Sequence, residues 1–223
     1  MNVYLIAYFI AMLLEIAAII GSNSTLHFIA KPLLMPILAV VFYQYTRHSF
    51  DSIHKKILIA LFFSWMGDVF LMFVFKNELF FLAGLGSFLV AHIIYIIAFR
   101  EIQLKENTAI LPQKWWILLP LIAYFILLVS SFFSLVPMDM KVPVAVYSLT
   151  IAVMVVMAIN RYGRVNDKSF SMVLAGALLF MFSDSIIAVN KFLFQDQMPY
   201  AGVAIMLLYC VGQFYIVKGI SKQ

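Results

Sequence analysis

Residues 57–75 read ILIALFFSWMGDVFLMFVF, nineteen positions with one charge, Asp68. The stretch is long enough to cross the roughly 30 Å of hydrocarbon in a bilayer, which takes about 20 residues of helix. A carboxylate at that depth costs roughly 3 kcal/mol or more on insertion scales unless it is paired, neutralised or watered. A second run, LAGALLFMFSDSIIAV over 174–189, carries Asp184 in the same manner. The two stretches fix the fold class as a polytopic membrane helical bundle.

Composition agrees. The 223 residues are 65% hydrophobic and 11% charged, with a mean hydropathy of +1.04. Soluble domains carry about 25% charge, so the chain reads as one integral membrane domain over 1–223. Apolar runs at 3–20, 29–46, 57–75, 79–99, 115–135, 142–159, 170–190 and 200–217 predict eight transmembrane helices. Lys31-Pro32 reads as the start of the second, because proline is tolerated in a first turn. The first run contains Glu15 and lacks a basic leader, so it is expected to be a membrane helix and not a cleaved signal. The single cysteine, Cys210, excludes an intramolecular disulfide.

The basic residues report topology and do not imply a nucleic-acid partner. Of the 15 lysines and arginines, 11 fall in the 2–3, 4–5 and 6–7 loops and the C-terminal tail, among them Arg47, Lys105, Arg161 and Lys222. The positive-inside rule then puts both termini in the cytoplasm. Helices 3 and 7 both run outward, and Asp68, Asp184, Glu15 and Lys31 gather in the outer half. His92 lies nearer the middle. A shift of 116 residues lays Asp68 on Asp184, which predicts a 4+4 parallel internal repeat about an axis along the membrane normal.

Two carboxylates with unlike surroundings can divide acid and base roles between them. The competing reading is that each pairs with a neighbouring helix and only holds the bundle together. Lys31 can bind phosphate or snorkel to the interface. His92 and Tyr95 share a helix face three residues apart, and Tyr209 and Gln213 lie one turn apart on helix 8. Tyr147 and Asn190 complete the set expected to line a cavity, with packing as the alternative for each. A metal site would need His92 plus both aspartates, against the three ligands that catalytic zinc takes, so none is expected. There is no phosphate loop, CxxC pair or nucleotide motif, so no cofactor is expected.

At these residues the chain resembles the YhhN-like lysoplasmalogenase family of multi-pass membrane proteins. The resemblance is carried by Lys31-Pro32, Gly67-Asp68, Gly84-Leu85 with Phe88, His92-x-x-Tyr95, Gly176 through Ser183-Asp184 to Asn190-Lys191-Phe192, and Tyr209 with Gln213. Cys210 departs from the pattern, in which a second aromatic stands beside Tyr209. The resemblance implies hydrolysis of the vinyl-ether bond of a lysophospholipid substrate taken from the bilayer. Asp68 and Asp184 would be the acid and the base, Lys31 the phosphate ligand, and His92, Tyr95, Tyr209 and Gln213 would orient water or glycerol. The readings that remain beside it are a proton-coupled transporter built on the same acids and a lipid-binding protein without chemistry.

Overall fold

Each apolar run becomes an α-helix in the computed structural model, which describes residues 3–101, 111 and 114–223. Lys105 lies outside the described residues. The chain divides into two units, 1–98 and 99–223. Unit 1 holds α1 (Val3–Ile20), α2 (Ser24–Thr46), α3 (Ser52–Leu71) and α4 (Leu79–Arg100, whose last residues pass the boundary). Unit 2 holds α5 (Leu119–Phe132, with 3₁₀ turns at Trp115–Leu118 and Phe133–Leu135), α6 (Lys141–Ile159), α7 (Asp167–Phe192) and α8 (Ala201–Ile220). Seven of these spans are long and apolar enough to cross a membrane. The eighth, α3, has similar length but carries Lys55, Lys56 and Asp68. The chain is an integral, multi-pass membrane protein.

The second helix corrects the sequence reading. It begins at Ser24, not at Lys31-Pro32, because Asn23 Oδ1 accepts the Leu26 N–H at 3.0 Å and caps it there. Pro32 and Pro36 therefore lie inside α2. A proline inside a helix removes one i→i−4 hydrogen bond, so Pro36 leaves the Pro32 carbonyl without its helical donor. Trp65 on α3 supplies a substitute, its indole N–H donating to Pro32 O at 3.0 Å. An unsatisfied carbonyl in an apolar medium is expensive, so Trp65→Phe is expected to destabilise the fold by about 1–3 kcal/mol. Pro36→Ala restores the missing N–H. In that background the Trp65→Phe penalty should shrink, which a double-mutant cycle of melting temperatures measures.

In unit 1, α1 packs on α2 and α2 on α3. Helix α3 starts at a capping box, in which Asp51 accepts from Ile53 and His54 N–H while His54 Nδ1 accepts the Asp51 N–H. In unit 2 the closest pair is α7 with α8. A Cβ added to Gly176 would stand 2.6 Å from Gly212 O, and one added to Gly212 would stand 3.0 Å from Gly176 O. The two backbones touch there, and only glycine allows it.

Arg161 lies in the 6–7 loop as the sequence reading has it, but not as a solvated charge. It is fully buried at the α6–α7 turn, donating from Nη2 to Ser169 Oγ at 2.9 Å and to Gln223 Oε1 at 3.2 Å. Its guanidinium lies 5.6 Å from the centre of the Phe99 ring. Burial pushes the guanidinium pKa down to about 10.

Candidate functional site

The polar residues of unit 1 are brought together by helix register. Two contacts align α2 with α3: the Trp65 bond to Pro32 and the Phe28–Phe73 ring contact at 5.6 Å. Between them, Asp68 falls level with residues 29–33 of α2, the turn that carries Lys31. Asp68 is buried, at 3% exposure. Its neighbour Gly67 lies against Phe88 of α4, whose ring a Cβ at 67 would meet at 2.6 Å. That contact, with Gly84 against Leu71, sets α4 beside α3. His92 then lies roughly 8 Å deeper along the axes than Asp68, at about 1.5 Å of rise per residue. Tyr95 lies one turn deeper again, and both are fully buried.

One turn from Lys31 on α2, His27 Nδ1 lies 2.7 Å from Glu15 Oε1 on α1. Glu15 is fully buried and His27 is partly exposed. This pair stands one turn from Lys31 and from the level of Asp68, toward the α1–α2 turn end of unit 1.

Unit 2 has its own polar layer. Tyr147 Oη on α6 donates to Asp184 Oδ2 on α7 at 2.8 Å, and both residues are buried. The next residue, Ser185, faces the other way and accepts the Tyr124 O–H of α5 at 2.8 Å. Ser183 Oγ donates to Ile205 O at 3.1 Å, and Phe180 meets the Tyr209 ring edge-on at 5.3 Å. These contacts give α7 and α8 a single register, with Asp184 level with Ala204. Tyr209 is then about 7 Å and Gln213 about 13 Å deeper than Asp184, by helical rise. Tyr147 is thus the expected partner that touches Asp184 directly, while Tyr209 and Gln213 follow below it. Asn190 is engaged elsewhere. Its Oδ1 accepts the Met198 N–H at 3.0 Å and its Nδ2 donates to Asp196 Oδ1 at 3.2 Å. It organises the α7–α8 loop, where Gln195, Asp196 and Tyr200 take left-handed backbone angles.

An apolar cavity of about 570 Å³ runs along α7 between α5 and α6. Leu174, Leu178 and Met181 form part of its wall. Edge-on ring pairs stand along it, Tyr162 with Phe170 at 5.2 Å and Tyr124 with Phe182 at 5.5 Å. From Phe170 to Phe182 is about 18 Å of helical rise, comparable to one leaflet of hydrocarbon, roughly 15 Å. Among the described residues, no three His, Cys, Asp or Glu side chains stand close enough to hold a metal ion.

The model of the YhhN family matches residues 26–220. The chain belongs to the YhhN family. It is also similar to the lysoplasmalogenase TMEM86B of Sus scrofa, 27% identical over 189 residues, which cover 85% of this chain and 74% of that protein. No solved structure matches. The matched segment of this YhhN-family chain takes in His27, Lys31, Asp68, His92, Tyr147, Asp184 and Gln213, and starts after Glu15.

Sequence reasoning missed two features of this site. His27 lies ahead of the 29–46 run expected for the second helix; the Asn23-Ser24 cap is the signal that brings it into α2. Glu15 is placed in the outer half by sequence without a named partner, yet across the short turn at 21–23 it is nearly equidistant with His27, which places the two side by side in a helical hairpin.

Proposed function

We propose that this YhhN-family chain hydrolyses the vinyl-ether bond of lysoplasmalogen-type lysophospholipids, releasing a fatty aldehyde and a glycerophospho-base. The observation that carries the reading is its likeness to a protein named lysoplasmalogenase over 85% of the chain. Burial of an acid in each unit supplies the chemistry such a reaction needs.

An enol ether is hydrolysed by protonation of its β-carbon. The oxocarbenium ion that results adds water, and the hemiacetal collapses to aldehyde and alcohol. In this reading one of Asp68 and Asp184 delivers the proton and the other serves as base or steadies the positive charge. Lys31 neutralises the substrate phosphate. Tyr147 fixes the orientation of the Asp184 carboxylate, and His92, Tyr95, Tyr209 and Gln213 line the path of water or glycerol.

The test is product analysis. Purified protein incubated with an alkenyl and an acyl lysophospholipid should release aldehyde from the first and nothing from the second. Fatty acid from the acyl lipid would make it an esterase. With neither product, solute flux in proteoliposomes that depends on Asp68 would make it a transporter.

The proposed orientation, both termini cytoplasmic, has its own test. Cys210 is buried, so a cysteine placed at the C-terminus by Gln223→Cys reports alone. It should resist an impermeant maleimide in intact cells and react once they are opened.

A further inference from the structure

The Glu15–His27 pair has features that a simple helix tie would not need. Glu15 Oε1 is bound by His27, but Oε2 is buried with no hydrogen-bond partner among the described residues. A buried carboxylate with an unsatisfied oxygen is a costly way to join two helices, since a neutral amide or hydroxyl would serve. What the carboxylate does supply is a fixed, negatively charged acceptor for one ring nitrogen. The tautomer with its proton on His27 Nδ1, shared with Glu15, is the one the proposal below requires, and it leaves Nε2 as the nitrogen to take another. His27 keeps 27% of its side chain exposed while Glu15 keeps none, so the imidazole has access and its partner does not. A buried acid behind a half-exposed histidine is the arrangement that orients a general base.

Position agrees with this role. Asp68 is level with the Lys31 turn of α2, and His27 is one turn from Lys31 on the same helix. Glu15 on α1 is the charged group in contact with His27; Lys31 stands one turn along the same helix, and Asp68 on α3 is level with that turn. An acid, a base and a cation therefore fall within about one helical turn of one another along the axes of unit 1.

We propose that His27 is the base that activates water in this reaction, with Glu15 as its positioning residue. The inference rests on the hydrolase reading and assigns one of its steps. As the water oxygen bonds to the oxocarbenium carbon, one water proton passes to His27 Nε2. The hemiacetal so formed breaks its C–O bond to the glycerol. The proton held by His27 goes to the departing glycerol oxygen, and the hemiacetal O–H proton returns to the acid that protonated the β-carbon. Both catalytic groups are restored, and the net change is addition of one water. The second aspartate is left with the role of steadying the cation.

The experiment measures aldehyde release from an alkenyl lysophospholipid by full-length protein across pH, together with melting temperature. His27→Gln should lower kcat about 10²-fold or more, change KM little, and alter the pH dependence of the rate. Glu15→Gln keeps an oxygen that accepts the Nδ1–H and so keeps the packing. It should lower kcat at unchanged melting temperature, and Glu15→Asp should recover part of the rate. Wild-type kcat in His27→Gln overturns the proposal. So does a loss of rate that follows melting temperature in all three variants while the pH profile stays that of the wild type. A wild-type protein that releases no aldehyde from the alkenyl lipid removes the hydrolase reading itself, and this assignment with it.

Discussion

Asp68→Asn and Asp184→Asn are each expected to lower aldehyde release from an alkenyl lysophospholipid by about 10²–10⁴-fold, the usual worth of a positioned acid or base. Asparagine has almost the shape of aspartate and can still accept a hydrogen bond from Tyr147 at position 184. What it cannot do is carry a transferable proton or a negative charge. If the aspartates only tied helices together, the amide would do that work and turnover would be unchanged. A fold that survives with chemistry lost is the outcome that separates the two roles, so melting temperature is measured beside rate. Tyr147→Phe serves as the graded control. It removes one O–H donor from the carboxylate, an interaction worth about 1.5–3 kcal/mol where a charged group is involved, and should slow the reaction by less than either aspartate change.

Gly176→Val is expected to have the largest effect on the fold itself. Its Cβ would meet Gly212 O at 2.6 Å and the backbone N of Ile216 at 2.8 Å. Neither atom is the tip of a flexible side chain that can turn aside, so the two helices must separate. Overpacking a well-filled interior costs about 1–3 kcal/mol even when side chains can adjust, and here backbone has to move. A sharp drop in melting temperature, or loss of monodisperse protein, is the predicted result. Gly86 on α4 is the matched control, since a Cβ there meets nothing within 4 Å. Gly86→Ala should be neutral or raise stability by about 0.5–1 kcal/mol, because glycine inside a helix is less favourable than alanine by that amount. Opposite outcomes at two helical glycines would tie the effect to the α7–α8 contact and not to glycine as such.

The membrane helices were legible because the requirement is blunt: a span must be about 20 apolar residues long whatever it packs against. Boundaries such as 3–20 and 115–135 recur in the structure. The start of α2 was misread for an equally physical reason. Lys31-Pro32 reads as a helix start because proline suits a first turn, yet a helix interior accepts proline once another group serves the carbonyl left without its donor, and here the donor to Pro32 O, Trp65, is 33 positions away. At the candidate site, Asp68 and Asp184 announced themselves by cost. The Tyr147 bond and the Glu15–His27 pair were invisible as contacts because their partners meet only after hairpins close. Asn190 shows the reverse error: a polar residue at a helix end in the right order, whose side chain is used by its own loop.

The glycine contact between α7 and α8 also bears on motion. Hydrogen bonds close the pair at both ends, Ser169 Oγ to Gly219 O at 2.7 Å and Ser183 Oγ to Ile205 O, with the backbones touching between them. Two helices joined along such a length have no sliding direction that avoids a collision, so they move as a single rod. Breathing in unit 2 is left to α5 and α6, which flank the apolar cavity. Asp184 rides on the rod, whereas the hydroxyl of Tyr147 rides on a wall that can swing. The bond between them is then a latch as well as an anchor, and amide hydrogen exchange should be slowest along α7 and α8 and faster in α5.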